Sequence, residues 1–276
     1  MSGKLILVGT PIGNLSDFSP RAAEALAQAD FIAAEDTRVT VKLLNHFGIK
    51  KPLVSYFEHN KTARGPELCA RMENGETCAL VTDAGMPAIS DPGELLVRQC
   101  AERGIPVFVV PGPSAVVSAL AVSGLPTGRF TFEGFLSVNK KTRREHLEEL
   151  RDERRTMVFY EAPHKLEGTL KDLLAAFGDR RISLVRELTK IHEEVIRTTL
   201  AEAAERYADG SARGEFVLVV EGAEKTEEPQ PEEDAVALAR GYLAEGLSVS
   251  EAAKRAASET GRRKGEIYRE LARGEE

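Results

Sequence analysis

The chain reads as an α/β protein of 276 residues, with two α/β domains followed by a small C-terminal helical module. Three observations predict this. Over residues 4–123, short β-type runs alternate with helical patterns, the rhythm of a mostly parallel sheet covered by helices. After Gly124-Leu-Pro-Thr-Gly128 the rhythm changes to apolar runs with few helices between them, as in a mixed, partly antiparallel sheet. Beyond an acidic, proline-containing stretch at 223–234, which has linker chemistry, only helical patterning remains. The domains are therefore drawn at 1–123, 124–224 and 232–276.

In the first domain the strands fall at 5–8, 31–34, 53–57, 79–81 and 107–110. Ser19-Pro20 opens a helix that ends near Asp30, Asp36 or Thr37 opens one that stops at Gly48, and Pro113-Ser114 opens one that ends at Gly124. In the second domain the strands fall at 130–136, 157–160, 182–188, 195–199 and 216–220. Between its first two strands lies a charged amphipathic segment, 139–155, with leucines at 147 and 150. Its opening cluster, Lys140, Lys141, Arg143 and Arg144, is the densest basic patch in the chain and a candidate for phosphate contacts. The C-terminal module reads as three short helices, 235–243, 250–258 and 264–271, at a spacing equally compatible with a helix-turn-helix unit and with a plain capping bundle.

Composition narrows the function classes. A net charge of -7 argues against a protein that coats nucleic acid through bulk electrostatics, while leaving room for a local basic patch. Cys69, Cys78 and Cys100 form no CxxC or Cys/His cluster, so neither a disulfide framework nor a metal site is expected, and apolar filling is their natural role. The chain enters its first strand without a signal-peptide core, and no apolar run reaches the length of a membrane span. A soluble cytoplasmic protein is expected.

The loops at strand ends carry the chemistry. Ala79-Leu-Val-Thr-Asp-Ala-Gly-Met-Pro-Ala-Ile-Ser-Asp-Pro-Gly93 runs from a strand into a loop of backbone-exposing residues, with Ser90 or Asp91 before Pro92 as a helix cap. Ligands of open α/β sheets bind at such carboxyl ends. Gly9-Thr-Pro-Ile-Gly13-Asn follows the first strand, but Pro11 and Asn14 stand where GxGxxG needs glycine, and no phosphate loop is present. Val110-Pro-Gly-Pro-Ser-Ala115 is a third such turn. Polar clusters at 35–38, 58–61, 161–165 and 186–190 complete the candidate edge. Without metal ligands, a nucleophile motif or a phosphate cradle, these loops point to a small organic cofactor.

Taken in order, Leu7-Val-Gly-Thr-Pro-Ile-Gly-Asn-Leu15, Ala34-Glu-Asp-Thr-Arg38, Ser55-Tyr-Phe-Glu-His-Asn60, the 81–93 loop, Pro111-Gly-Pro-Ser-Ala115, Phe159-Tyr-Glu-Ala-Pro-His-Lys165 and Arg186-Glu-Leu-Thr-Lys190 resemble the tetrapyrrole methylase family. These are the class III S-adenosylmethionine-dependent methyltransferases, and the likeness is to the branch that methylates a cytidine 2′-hydroxyl in 16S rRNA. It covers residues 4–222. The resemblance implies S-adenosylmethionine in a cleft between the two α/β domains, and a homodimer. It maps cofactor contacts onto Pro11, onto Asp83, Ala84, Gly85, Pro87 and Ile89, onto Ser114 and Ala115, and onto Phe135, Tyr160, Ala162, Pro163 and Glu215. The implied substrate is a cytidine ribose in the decoding centre, read within the assembled small ribosomal subunit.

Methyl transfer needs alignment of the acceptor oxygen and removal of its proton. Charged residues at strand ends nominate Asp36 and Glu187 as the base, with Lys190 as the alternative. Arg38, Lys165, Arg186 and the 140–144 cluster are placed to hold phosphates, and His59 and Asn60 lie in a run that follows the rRNA branch's pattern. Two rival readings are methylation of a tetrapyrrole precursor and a noncatalytic RNA-binding assembly protein.

Overall fold

The computed structural model of the protein describes residues 3–224 and 235–273. The linker reading for 225–234 falls outside the described residues. The chain divides into two compact units, residues 1–223 and 224–276.

The first unit holds two five-stranded sheets. Strands β1 (Lys4–Val8), β2 (Phe31–Ala34), β3 (Leu53–Ser55), β4 (Thr77–Val81) and β5 (Val107–Val110) form the first, in the order β3-β2-β4-β1-β5. Every pairing in it is parallel. In β2 and β4 the residues alternate between two covered faces, which is why those runs are largely apolar, whereas edge strand β5 leaves Phe108 and Val109 exposed. Ile32 and Ala34 pack with helices α1 (Pro20–Gln28) and α2 (Thr37–His46). Phe31 and Ala33 pack with α3 (Lys61–Glu73) and α4 (Gly93–Glu102), in the layer that also buries Cys69, Cys78 and Cys100. Ser19 Oγ accepts the Ala22 N–H and Asp36 accepts the Arg38 N–H, capping α1 and α2 where the sequence places those caps.

Helix α5 (Ala115–Ser123) follows β5 yet packs on the second sheet, where Val116, Ala119 and Leu120 meet Val158, Val185 and Val217. The passage between the two layers therefore falls before Ala115 and not at Gly124. The sequence break at 124 marks only the helix end, a glycine at φ 78°.

The second sheet is mixed, in the order β6-β7-β10-β8-β9. Its strands are β6 (Phe130–Phe135), β7 (Thr156–Glu161), β8 (Arg181–Arg186), β9 (Glu194–Thr199) and β10 (Phe216–Val220). Only β6 and β7 run parallel; β10 lies antiparallel between β7 and β8, and β9 antiparallel at the edge. Its other face is covered by α6 (Lys140–Glu149), α7 (Leu166–Phe177) and α8 (Leu200–Arg206) through Leu147, Leu170 and Leu200. β8 stops at Arg186, two residues earlier than the apolar run predicts, because Glu187 and Thr189 take φ 50° and 67° and turn the chain.

Among the described residues the second unit holds α9 (Ala235–Ala244), α10 (Val249–Thr260) and α11 (Lys264–Arg273), packed through an alanine-rich interior. Among the described residues no helix is long and apolar enough to cross a membrane.

Candidate active site

Three backbone loops meet at the carboxyl edge of the first sheet. After β1, Thr10 pairs with Gly85: Thr10 N–H donates to Gly85 O at 2.9 Å and Gly85 N–H to Thr10 O at 3.1 Å. Buried Thr10 Oγ1 also donates to Thr82 O at 3.1 Å. Gly85 sits at φ 86°, in the left-handed region that favours glycine. The β1 and β5 loops touch backbone to backbone. A Cβ on Gly112 would lie 2.7 Å from Gly9 Cα, and a Cβ on Gly9 2.6 Å from Gly112 Cα. Gly112 N–H points at Met86 Sδ, 3.2 Å away.

The loop after β4 is fastened by Asp91. Its Oδ1 accepts the Ala88 N–H at 2.9 Å and the Gly93 N–H at 2.7 Å. Those bonds hold a segment in which Ala88 and Ser90 both have positive φ, 68° and 59°. Neither Ser90 nor Asp91 holds the cap position of α4 that the sequence predicts for one of them; Asp91 acts from one residue earlier, through the Gly93 N–H. Pro92 itself occupies the position before the first helical residue.

These loops form one wall of a cleft of about 510 Å³; the opposite wall comes from the second sheet. Phe135, 58% exposed, presents its ring there, with the Tyr160 ring 5.4 Å away. Glu161 is buried and fully engaged, accepting the Ala162 N–H at 2.8 Å and the Thr169 hydroxyl. At the first-sheet edge Glu35 Oε2 accepts the Thr82 hydroxyl at 2.7 Å, and Asp83 Oδ1 accepts the Asp36 N–H at 3.0 Å. Burial, with Glu35 and Asp36 adding to it, raises the Asp83 carboxyl above its ordinary value. Burial likewise raises Asp91. The cleft therefore combines an aromatic face, free backbone edges and carboxylates, a donor set that fits a cationic organic molecule with a flat ring. Among the described residues no His/Cys/Asp/Glu group could hold a metal ion.

The family model for tetrapyrrole (corrin/porphyrin) methylases matches residues 4–204. The chain belongs to that family. Its curated relatives include proteins named ribosomal RNA small subunit methyltransferase I. That of Halalkalibacterium halodurans is 49% identical over 272 residues, covering 96% of this chain and 93% of the relative. That of Thermotoga maritima is 49% identical over 222 residues, which cover 80% of this chain and all of the relative. Among solved structures, cobalt precorrin-4 methyltransferase shares the fold at TM-score 0.59 and 18% identity, covering 79% of this chain and 94% of that one. The Thermus thermophilus uroporphyrin-III C-methyltransferase, solved with S-adenosylhomocysteine, shares it at TM-score 0.55 and 21% identity, covering 79% and 97%.

In this methylase, the cleft gathers Asp83, Ala84, Gly85 and Ile89 from the β4 loop and Ser114 and Ala115 from the β5 loop. From the second sheet it gathers Phe135, Tyr160, Ala162, Pro163 and Glu215. Pro11 and Pro87 do not line it; they shape the loops that do. Sequence reasoning passed over Ile12 and Thr82 as lining residues and left Glu35 among the polar clusters at strand ends. Glu35 and Thr82 carried a usable signal, since each directly follows the apolar run of a strand.

The three residues nominated as base lie outside the lining. Asp36 is clamped by Arg38, with Nη2 2.6 Å from Oδ2, and this hydrogen bonding pulls its carboxyl down to about 2. Glu187 accepts the Glu215 N–H and the Lys190 ammonium, each at 2.9 Å, and both lower it. Burial alone would lower the Lys190 amine, but its hydrogen bonds to Glu187 and Glu215 outweigh that and raise it. The first two are weak bases, and the third is a held cation.

The nominated substrate contacts also lie outside the lining. Arg38 is 87% exposed beside Asp36. Asn60 braces its own turn, accepting the Phe57 N–H and donating to Ser55 O, and His59 stands edge-on to Phe57. Lys140, Lys141 and Arg144 are exposed at the start of α6. Arg143 turns inward instead, 2.5 Å from Asp172 and 2.8 Å from the Thr169 hydroxyl, so it fastens α6 to α7. Lys165 is half-buried in the short turn after β7. Arg186 donates to Arg213 O at 2.6 Å.

Two stability measurements follow from this geometry. Gly112→Ala should cost about 1–3 kcal/mol in urea unfolding, since the added methyl meets backbone that cannot step aside. Asp91 Oδ2 and the Tyr56 hydroxyl are both buried without a hydrogen-bond partner among the described residues. A carboxyl raised on folding contributes stability in acid and loses it as pH rises through the folded value. Asp91→Asn keeps one acceptor for the Ala88 and Gly93 N–H groups and removes the buried charge. It should melt above wild type at neutral pH, with the difference closing in mild acid; a lower melting temperature at neutral pH would contradict this account.

Proposed function

We propose that the chain transfers the methyl group of S-adenosylmethionine to small-subunit ribosomal RNA, at the ribose 2′-oxygen of a cytidine in the 16S decoding centre. The observation that carries this reading is the cleft itself: an aromatic wall facing carboxylates across interlocked glycine loops, in a chain 42–49% identical to proteins named for methylating this RNA. When bound, S-adenosylmethionine supplies a methyl already activated on a sulfonium. The residues of this chain then have two tasks.

The first is to hold and orient. Phe135 and Tyr160 offer flat apolar surface, the β1, β4 and β5 loops offer backbone groups, and Glu35, Asp83 and Asp91 make the cleft anionic. Positioning of this kind supplies the larger share of the rate. The second is to take the 2′-hydroxyl proton as the oxygen attacks the methyl carbon. Asp83 is the carboxylate best suited: it lines the cleft, its basicity is raised by burial, and with Oδ1 engaged by Asp36 N–H, Oδ2 is the oxygen we assign to the proton. The exposed cations Arg38, Lys140, Lys141 and Arg144 lie outside the cleft, where a large RNA can reach them. The assembled subunit as acceptor, a homodimer as the working form and the cytoplasm as the compartment belong to the same reading.

The test is transfer of labelled methyl from S-adenosylmethionine to purified unmethylated small subunits, beside naked 16S rRNA and a tetrapyrrole precursor, with the labelled nucleotide mapped. Label on one cytidine ribose is expected. Label on the tetrapyrrole, or on no acceptor, would overturn the assignment. Asp83→Asn should lower kcat by about 100-fold or more at saturating RNA and S-adenosylmethionine, within the range of general base catalysis. In the wild type the rate should fall as pH drops through the raised Asp83 value, and the variant should lack that limb. Equal pH profiles would assign the proton to another group.

A further inference from the structure

The three helices of the second unit carry an excess of positive charge between acidic flanking segments. Residues 235–273 carry eight Lys/Arg against five Glu, whereas the whole chain carries 37 basic against 44 acidic residues. The distribution of those charges is also ordered. On α11, Ile267 and Leu271 face the interior. At 100° per residue, Glu266 and Glu270 then fall along one flank and Lys264 and Tyr268 along the other, with Arg269 at the outermost position between the flanks. Glu270 is engaged by Arg262 at 2.7 Å, on the acidic side. On the basic side, Lys264 Nζ donates to Ser250 Oγ at 3.0 Å, which joins this flank of α11 to α10. One turn along α10 from Ser250 stands exposed Lys254. The result is one cationic face, made of Lys254, Lys264 and Arg269, with the Tyr268 ring 45% exposed among them and Arg263 exposed at the turn before α11.

We propose that this face docks on RNA, gripping its phosphodiester backbone, and that it adds affinity for the RNA substrate without taking part in methyl transfer. The proposal rests on the RNA reading of the cleft. Charge sets the class of partner, because a locally basic surface on an acidic chain attracts a polyanion while the remaining charge limits unspecific coating. The aromatic favours nucleic acid over a lipid surface: an exposed tyrosine among cations stacks on an unpaired base. A lipid surface would instead need an apolar face, and the apolar residues of this unit are turned inward.

The experiment uses full-length enzyme with Lys254→Glu, Lys264→Glu and Arg269→Glu combined, and separately Tyr268→Ala. KM and kcat for unmethylated small subunits, the Kd for S-adenosylhomocysteine, and binding of a labelled 16S fragment across a salt titration are measured. The charge variant should raise KM and the RNA Kd about tenfold or more and reduce the slope of log affinity against log salt by about 2–3, one ion per lost phosphate contact. kcat and the S-adenosylhomocysteine Kd should stay within twofold. Tyr268→Ala should weaken RNA binding with the salt slope unchanged. Unaltered RNA affinity and slope would overturn the proposal, as would wild-type binding to phosphatidylserine vesicles that the charge variant loses while RNA binding is kept. If the charge variant melts early, the three glutamine substitutions replace it and the same criteria apply. RNA binding lost in the variant, with no methylation of RNA by wild type, would uphold the docking face and sink the functional reading. Normal methylation with unchanged KM would do the reverse.

Discussion

The approach of Gly9 to Gly112 is the constraint on which the cleft depends. Two loops leave adjacent parallel strands, β1 and β5, and come together closely enough that neither residue has room for a Cβ. Once they touch, the Thr10–Gly85 bridge can form on the other side of β1, tying the loop of β4 into the same layer. Three strand ends thus become one rigid backbone rim, and side chains near it are held by backbone contacts instead of by packing against one another. Rigidity of that kind is what alignment of two reacting atoms demands.

The rim is also where the electrostatics diverge from those of an ordinary surface. Asp36 and Asp83 are near neighbours with opposite fates. Asp36 is paired with Arg38 and becomes a spectator anion, while Asp83, exposed to the cleft, is raised by desolvation and by the neighbouring Glu35 and Asp36 carboxylates. Across the cleft, Glu161 is buried but saturated, and Glu187 and Lys190 neutralise one another next to the β1 loop, where Lys190 packs against Gly13. Charge alone therefore does not identify the chemically useful group; what matters is whether a carboxylate is held in an ion pair, as Asp36 is, or faces other carboxylates, as Asp83 does.

Helix α5 explains why two sheets make one unit. It begins at the rim of the first sheet and turns one apolar side, Val116, Ala119 and Leu120, away from that sheet, while Val117 stays exposed. The second sheet covers that side through Val158, Val185 and Val217. The β5 loop is thereby strung between a strand of one sheet and a helix of the other, and the cleft lies where the two layers part.

What the sequence by itself determined was local and periodic. The alternation of apolar runs and capped helices settled all ten strands to within two residues, and the Gly/Pro loops after β4 and β5 pointed to the part of the lining that runs through Asp83, Gly85, Ser114 and Ala115, because backbone needs at a tight turn are written in the residue types themselves. The ordered motifs identified the family for the same reason. Only the tertiary structure decided which charged residues meet the cleft. Arg143 and Lys140 read alike in sequence, yet one is bound to Asp172 and the other faces solvent, and Asp36 differs from Asp83 only in what surrounds it. Desolvation and ion pairing depend on neighbours far away along the chain, and no local pattern encodes them.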